Sequence, residues 1–117
     1  VTTERRGEPD VVDGVLVALA DATRRHLLDL LATQGEVTAT NLAKQLPVSR
    51  QAVVKHLAIL DAAGLVSGRR VGREVRYGVR PAALDVTVQW MTAIATNWDR
   101  RLATIKRVAE SAEEKHD

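Results

Sequence analysis

The feature that most constrains this chain is a single proline set between two short apolar stripes, each preceded by a hydroxyl residue. Thr38 stands ahead of Leu42 and Leu46, Pro47 follows, and Ser49 stands ahead of Val53, Leu57 and Leu60. Spacings of four and three place the last three side chains on one helical face. A Thr or Ser hydroxyl at the head of such a stripe accepts from the free amides of a first helical turn. Proline cannot continue a helix interior. The segment therefore predicts a helix capped by Thr38 and ending near Gln45. A turn at Leu46-Pro47-Val48 follows, and then a helix capped by Ser49 that stops before Gly64.

The flanking segments supply the rest of a small domain. Upstream, Val12, Val15, Leu16 and Leu19 recur at helical spacing and predict a helix from about Asp10 to Ala20. Asp21 is placed to cap a second helix reaching about Thr33, with Leu27, Leu28, Leu30 and Leu31 inward and Arg24 and Arg25 outward. Gly35 is placed to end it in a left-handed cap. Residues 1–9 are polar, contain Gly and Pro, and read as a flexible arm.

Beyond Gly64 the period changes from helical to alternating. Leu65-Val66 opens a strand, Val71-Gly72-Arg73 turns it, and Val75, Tyr77 and Val79 alternate with Glu74, Arg76 and Gly78. Pro81 fits the first turn of a long last helix running to about Glu110, with 111–117 as a frayed tail. The expected fold is mainly α with a small β-hairpin, one domain spanning residues 10–110.

Composition agrees with that outline. A chain of 117 residues has room for one domain, and 45% apolar with only 3% aromatic residues implies an aliphatic core. Cysteine is absent, which excludes disulfides and thiolate metal sites. No apolar run approaches the roughly 20 residues that span a bilayer, and no signal-peptide core precedes the first helix. The expectation is a soluble cytoplasmic protein.

The charge is unevenly placed. The net charge of +2 resolves into +5 between Ser49 and Arg80 and −3 over the remainder. A basic segment on an otherwise acidic chain is the footprint of a polyanion binder. The plainer alternative is a solvated charged face.

Two short helices joined by a tight turn make a helix-turn-helix unit, whose second helix enters the major groove of DNA. Opposite its core stripe, that helix presents Arg50, Gln51, Ala52, Lys55 and His56. Gln51 can pair bidentately with adenine, Ala52 can meet a thymine methyl, and Arg50 or Lys55 can reach guanine or phosphate. Ser49 leaves free amides suited to a phosphate. The hairpin places Arg69, Arg70, Arg73 and Arg76 at or beside its tip, where arginine suits a flanking minor groove or the backbone. A charged edge strand that guards against aggregation is the alternative there.

These ten residues are the candidate contacts to double-stranded DNA. The function expected is sequence-specific DNA binding, with a protein- or RNA-assembly module of the same shape as the alternative. No phosphate loop, nucleophile set or paired carboxylate suggests an enzyme, and no cofactor is implied.

On the last helix, Leu84, Val88, Met91, Ala95, Trp98, Leu102, Ile105 and Ala109 recur at alternating steps of four and three, a heptad seam. Val86, Trp90 and Ile94 widen the apolar face. So much apolar surface in so small a protein predicts a homodimer through Leu84, Val88, Met91, Trp98, Leu102 and Ile105. The first helix is a candidate to join that interface. Trp90 and Trp98 could instead be ordinary core or wall a small ligand pocket.

Three blocks, ALADATRRHLLDLL (18–31), VSRQAVVKHLAILDAAGLV (48–66) and RRVGREVRYGV (69–79), together resemble the ArsR/SmtB family of bacterial winged-helix repressors. The resemblance covers roughly residues 10–95. It implies a homodimer that binds an operator palindrome, represses transcription and releases DNA when an effector binds, with residues 49–61 as the recognition helix.

The family's metal sensors carry cysteines on the short third helix or histidines on the last helix. This chain has no cysteine and no histidine in residues 82–110. Its histidines, His26, His56 and His116, share neither an element nor a helical spacing. No metal site is expected, and any effector would be an unidentified small molecule.

Overall fold

The computed structural model describes residues 8–114. In chain order they form α1 (Glu8–Leu19), α2 (Ala22–Gln34), β1 (Val37–Thr38), α3 (Ala39–Ala43), α4 (Arg50–Ala62), β2 (Val66–Val71), β3 (Glu74–Val79) and α5 (Ala82–Glu114). They fall into two units that divide between Thr87 and Val88.

In the first unit every expected N-terminal cap forms, while Gly35 ends α2 with a ψ of −123°, outside the left-handed helical conformation expected of it. The Asp21 carboxylate accepts from the Arg24 amide at 3.1 Å, Thr38 Oγ1 from Asn41 at 3.2 Å, and Ser49 Oγ from Ala52 at 3.1 Å. Gly35 closes α2 at a φ of 82°, its amide donating to the Leu31 carbonyl. Asp21 titrates below the usual carboxylate range, chiefly because of the Arg24 backbone hydrogen bond, with the charge of Arg24 adding to it.

The core is aliphatic. Val15 of α1, Leu27 and Leu31 of α2, Leu42 of α3 and the Val53–Leu57–Leu60 stripe of α4 are all essentially without solvent exposure, as are Leu65 and Val66. Leu30, expected inside with its neighbours, is only partly buried against this cluster. On α1 the buried side is Val12, Val15 and Ala18, which leaves Leu16 and Val17 exposed.

Several expectations are corrected. The sheet has three strands rather than two, in the order β1-β3-β2, all antiparallel. Val37 pairs with Tyr77 and Thr38 with Arg76. A two-residue strand carries too little pattern to show an alternation, so only its partner defines it. The turn is tighter than expected, with Val71 inside β2 and Gly72-Arg73 alone between the strands. Gly72 takes a φ of 64°, as the first central residue of a two-residue hairpin turn does.

α1 begins at Glu8, so residues 8 and 9 of the expected arm are helical, with Pro9 tolerated in a first turn. Residues 1–7 lie outside the described residues. α5 likewise continues through residues 111–114, expected as tail, because no breaker interrupts it there. Residues 115–117 lie outside the described residues.

Arg25 is exposed as expected, whereas Arg24 is half-buried. Each folds back onto the end of α1, Arg24 Nε donating to the Ala18 carbonyl and Arg25 to the Leu19 carbonyl, both at 2.6 Å. Cationic donors satisfy carbonyls that a helix terminus leaves without partners.

In the second unit, Val88–Glu114 is helix throughout. Val88, Trp90, Met91, Ile94, Trp98, Leu102, Ile105 and Val108 are all exposed. Leu84, the first residue of the expected seam, belongs instead to the first unit, where it packs against the core.

Leu57→Ala should lower the unfolding free energy by about 2–5 kcal/mol in urea denaturation. Lys55→Ala, on the solvent side of the same helix, should change it by no more than about 0.5 kcal/mol. The folded chain holds Asp21 more acidic than the unfolded chain does. Its stabilising contribution is therefore complete above the ordinary carboxylate range and disappears as pH falls through the folded value. Asp21→Asn should weaken the acid dependence of stability, read from melting temperatures across an acid pH series.

Candidate nucleic-acid interface

Burial of Val53, Leu57 and Leu60 decides which side of α4 meets solvent. Diametrically opposite lie Gln51, Lys55 and Ala58, all exposed. The helix edges carry the remainder. Arg50 and Val54 flank one side, and Ala52 and His56 flank the other, both half-buried. Val54 and Ala58 were missed among the candidate contacts. Counting three and seven residues on from Gln51 would have found them, and their small apolar side chains suit thymine methyl groups.

Arg50 is tied across to α3, its Nε donating to Thr40 Oγ1 at 3.1 Å. This bond spans the turn at Pro47 and fixes the N-terminal end of α4 against its neighbour. Beside it an open groove of about 530 Å³ runs between α3, α4 and the hairpin, lined by Thr40, Asn41, Arg50, Val54, Arg73 and Val75 among others. Thr40, Asn41 and Val75 also escaped the sequence reading, because only the folded chain brings them to the edge of α4.

His56 stands apart from the exposed set. Its Nδ1 lies 3.3 Å from Arg24 Nη1, which turns the ring toward α2.

The hairpin arginines divide by strand alternation. Arg70 pairs directly with Val75, on the same sheet face as Val66, Gly68, Tyr77 and Val79, the face whose inner end is core. Gly68 gives the neighbouring side chains room there. A Cβ at that position would sit 3.0 Å from Val75 Cγ1 and 3.2 Å from Tyr77 Cε1.

Arg69 and Arg76 pair with each other on the opposite face. Each has a carboxylate: Arg69 binds both Glu36 oxygens at 3.0 Å, and Arg76 lies 3.5 Å from Glu74. Among the described residues neither Arg70 nor Arg73 forms such a pair. Of the ten expected contacts, Ser49, Arg50, Gln51, Lys55, Arg70 and Arg73 are exposed without a carboxylate partner among the described residues, whereas His56, Arg69 and Arg76 have charged side-chain partners. Ala52 lies half-buried at the margin.

Among the described residues no three His, Cys, Asp or Glu side chains gather into a group that could hold a metal ion. Nor, among the described residues, is any helix long and apolar enough to cross a membrane.

Comparison with known proteins agrees with this geometry. A family profile described as a helix-turn-helix domain matches residues 19–69, which run from the end of α1 into β2. The chain is 32% identical over 91 residues to the transcriptional repressor SdpR of Bacillus subtilis, covering 78% of this chain and 100% of that protein. Among solved structures, an ArsR-like transcriptional regulator from Rhodococcus sp. RHA1 superposes with a TM-score of 0.77 at 45% identity, covering 86% of this chain and 93% of that one. A homodimeric winged helix-turn-helix DNA-binding domain from Mycobacterium bovis, described as a possible ArsR-family regulator, matches with a TM-score of 0.62 at 27% identity, over 87% of this chain and 91% of that one. The capped helix pair, the three-stranded sheet and these likenesses along nearly the whole length of relatives have one common meaning: the chain belongs to the ArsR family of winged helix-turn-helix transcriptional regulators.

Proposed function

We propose that this protein is a cytoplasmic, homodimeric transcriptional repressor that binds a palindromic operator in double-stranded DNA. The observation that carries this reading is the exposed side of α4, with Gln51, Val54, Lys55 and Ala58, together with a groove in which Arg50 and Val54 of α4 meet Arg73 of the hairpin. α4 supplies groups that discriminate base edges, and the hairpin supplies charge for phosphate or minor groove. Arg50, held by Thr40, is positioned for the backbone beside the N-terminus of α4.

Dimerisation is supported by the exposed apolar residues of α5 and by the homodimeric state of the Mycobacterium bovis domain. Val88, Met91, Trp98, Leu102 and Ile105 would form the α5 interface, with Leu16 and Val17 of α1 as further apolar surface. Two copies about a two-fold axis would present two α4 helices to successive major grooves. The repressor name of the Bacillus relative supports repression as the outcome.

Selection from a random duplex pool tests the proposal. The expected product is a palindrome with half-sites about 10–10.5 base pairs apart, bound with an affinity that falls linearly with salt on logarithmic axes. A pool that shows no enrichment, together with a flat salt response, would overturn the proposal.

Gln51→Ala should relax preference at one position of each half-site, by about 1–3 kcal/mol of discrimination. Arg70→Ala and Arg73→Ala should weaken binding to all duplexes alike and reduce the salt slope by about 1 each. Arg69→Ala should do so far less, because Glu36 already engages that guanidinium. In sedimentation, Trp98→Glu should yield monomers; an unchanged dimer would place the interface elsewhere.

A further inference from the structure

Three helices of the first unit meet at one guanidinium. Arg24, in the first turn of α2, donates through Nε to the Ala18 carbonyl at 2.6 Å and through Nη2 to the Val17 carbonyl at 3.3 Å, both on α1. Its Nη1 lies 3.3 Å from His56 Nδ1 on α4, and its own backbone amide is held by Asp21 at 3.1 Å. Arginine has no acceptor, so the bond to His56 requires a lone pair on Nδ1.

Apart from the Arg50–Thr40 bond at its N-terminal end, the rest of the seating of α4 is apolar. Burial of Val53, Leu57 and Leu60 holds the helix against the domain, but that attraction is non-directional. It resists small rotations and slides of the helix only through shape. Direct readout of bases requires placement to within about 0.5 Å. A planar, multiply bonded guanidinium anchored on α1 and α2 supplies direction that the apolar stripe lacks. It acts on the edge of α4 adjoining the exposed Gln51 and Lys55.

We infer that Arg24 and His56 form a positioning pair for operator recognition: the guanidinium, fixed to the end of α1, sets the orientation of α4 through His56 Nδ1. This rests on the proposed DNA-binding function. His56 thereby acts through helix placement and not as a base-reading residue, although it sits among them in the sequence.

The test uses the full chain, a duplex selected from the random pool and a scrambled duplex of equal length, at one salt concentration. His56→Leu removes the acceptor, and His56→Asn restores one near the position of Nδ1. Arg24→Lys keeps the charge and loses the planar fork. The ratio of selected to scrambled affinity should fall about tenfold in H56L and in R24K, and stay within about twofold of wild type in H56N. The R24K/H56L double variant should lose no more than either single one, as expected for two halves of one interaction.

A merely structural role would lower melting temperature and leave that ratio unchanged in the folded fraction. An unchanged ratio in H56L, a loss in H56N equal to that in H56L, or additive losses in the double variant would each overturn the inference. Should H56L fail to fold, R24K and H56N carry the same decision between them. A wild-type chain that binds no duplex would overturn the proposed function, and this inference with it.

Discussion

Seating of α4 through Val53, Leu57 and Leu60 is the constraint on which the rest of the first unit depends. These three side chains lose all exposure against a cluster drawn from α1, α2, α3 and the first residues of β2. Their burial sets the rotation of the helix about its own axis to within what close packing allows, and that rotation alone determines which residues reach solvent. Gln51, Val54, Lys55 and Ala58 are exposed because the other side is full. The caps at Thr38 and Ser49, with Pro47 between them, decide where the helices start and stop but do not by themselves orient them.

Electrostatics is layered on that frame by the geometry of the sheet. Four arginines in the hairpin look equivalent as a list, yet alternation sends Arg69 and Arg76 to one face and Arg70 to the other. Glu36, which lies between α2 and β1, and Glu74 neutralise the outer pair. The positive charge left uncompensated lies at the turn and on the side of the hairpin that adjoins α4. Glu36 can meet Arg69 only because β1 joins the sheet at the far edge of β3.

Arginine has a second role at the other end of the domain, where Arg24 and Arg25 close the carbonyls of α1. The same TRR sequence would have served equally as solvated charge on a helix surface. Tertiary placement of α1 against α2 brings both side chains onto the end of α1, and Arg24, half-buried there, reaches α4. The apolar residues beyond Val88 are the opposite case, hydrophobic side chains that stay exposed in the single chain.

Much of this was legible in the sequence because its signals are local. Hydroxyl and carboxylate caps, a proline that interrupts a helix, glycines at positive φ and apolar spacing act over a few residues, so the five helices and the hairpin were all expected. The exposed side of α4 was half legible: Gln51 and Lys55 follow from helical periodicity, and Val54 and Ala58 would have followed from the same count. Only the tertiary structure could decide the third strand, the engagement of Arg69 by Glu36 and the turning of His56 toward Arg24. Each joins residues between 32 and 40 positions apart along the chain. The sequence around Pro47 determined that a helix-turn-helix would form; long-range packing decided which of its charged and aromatic neighbours remained free to use it.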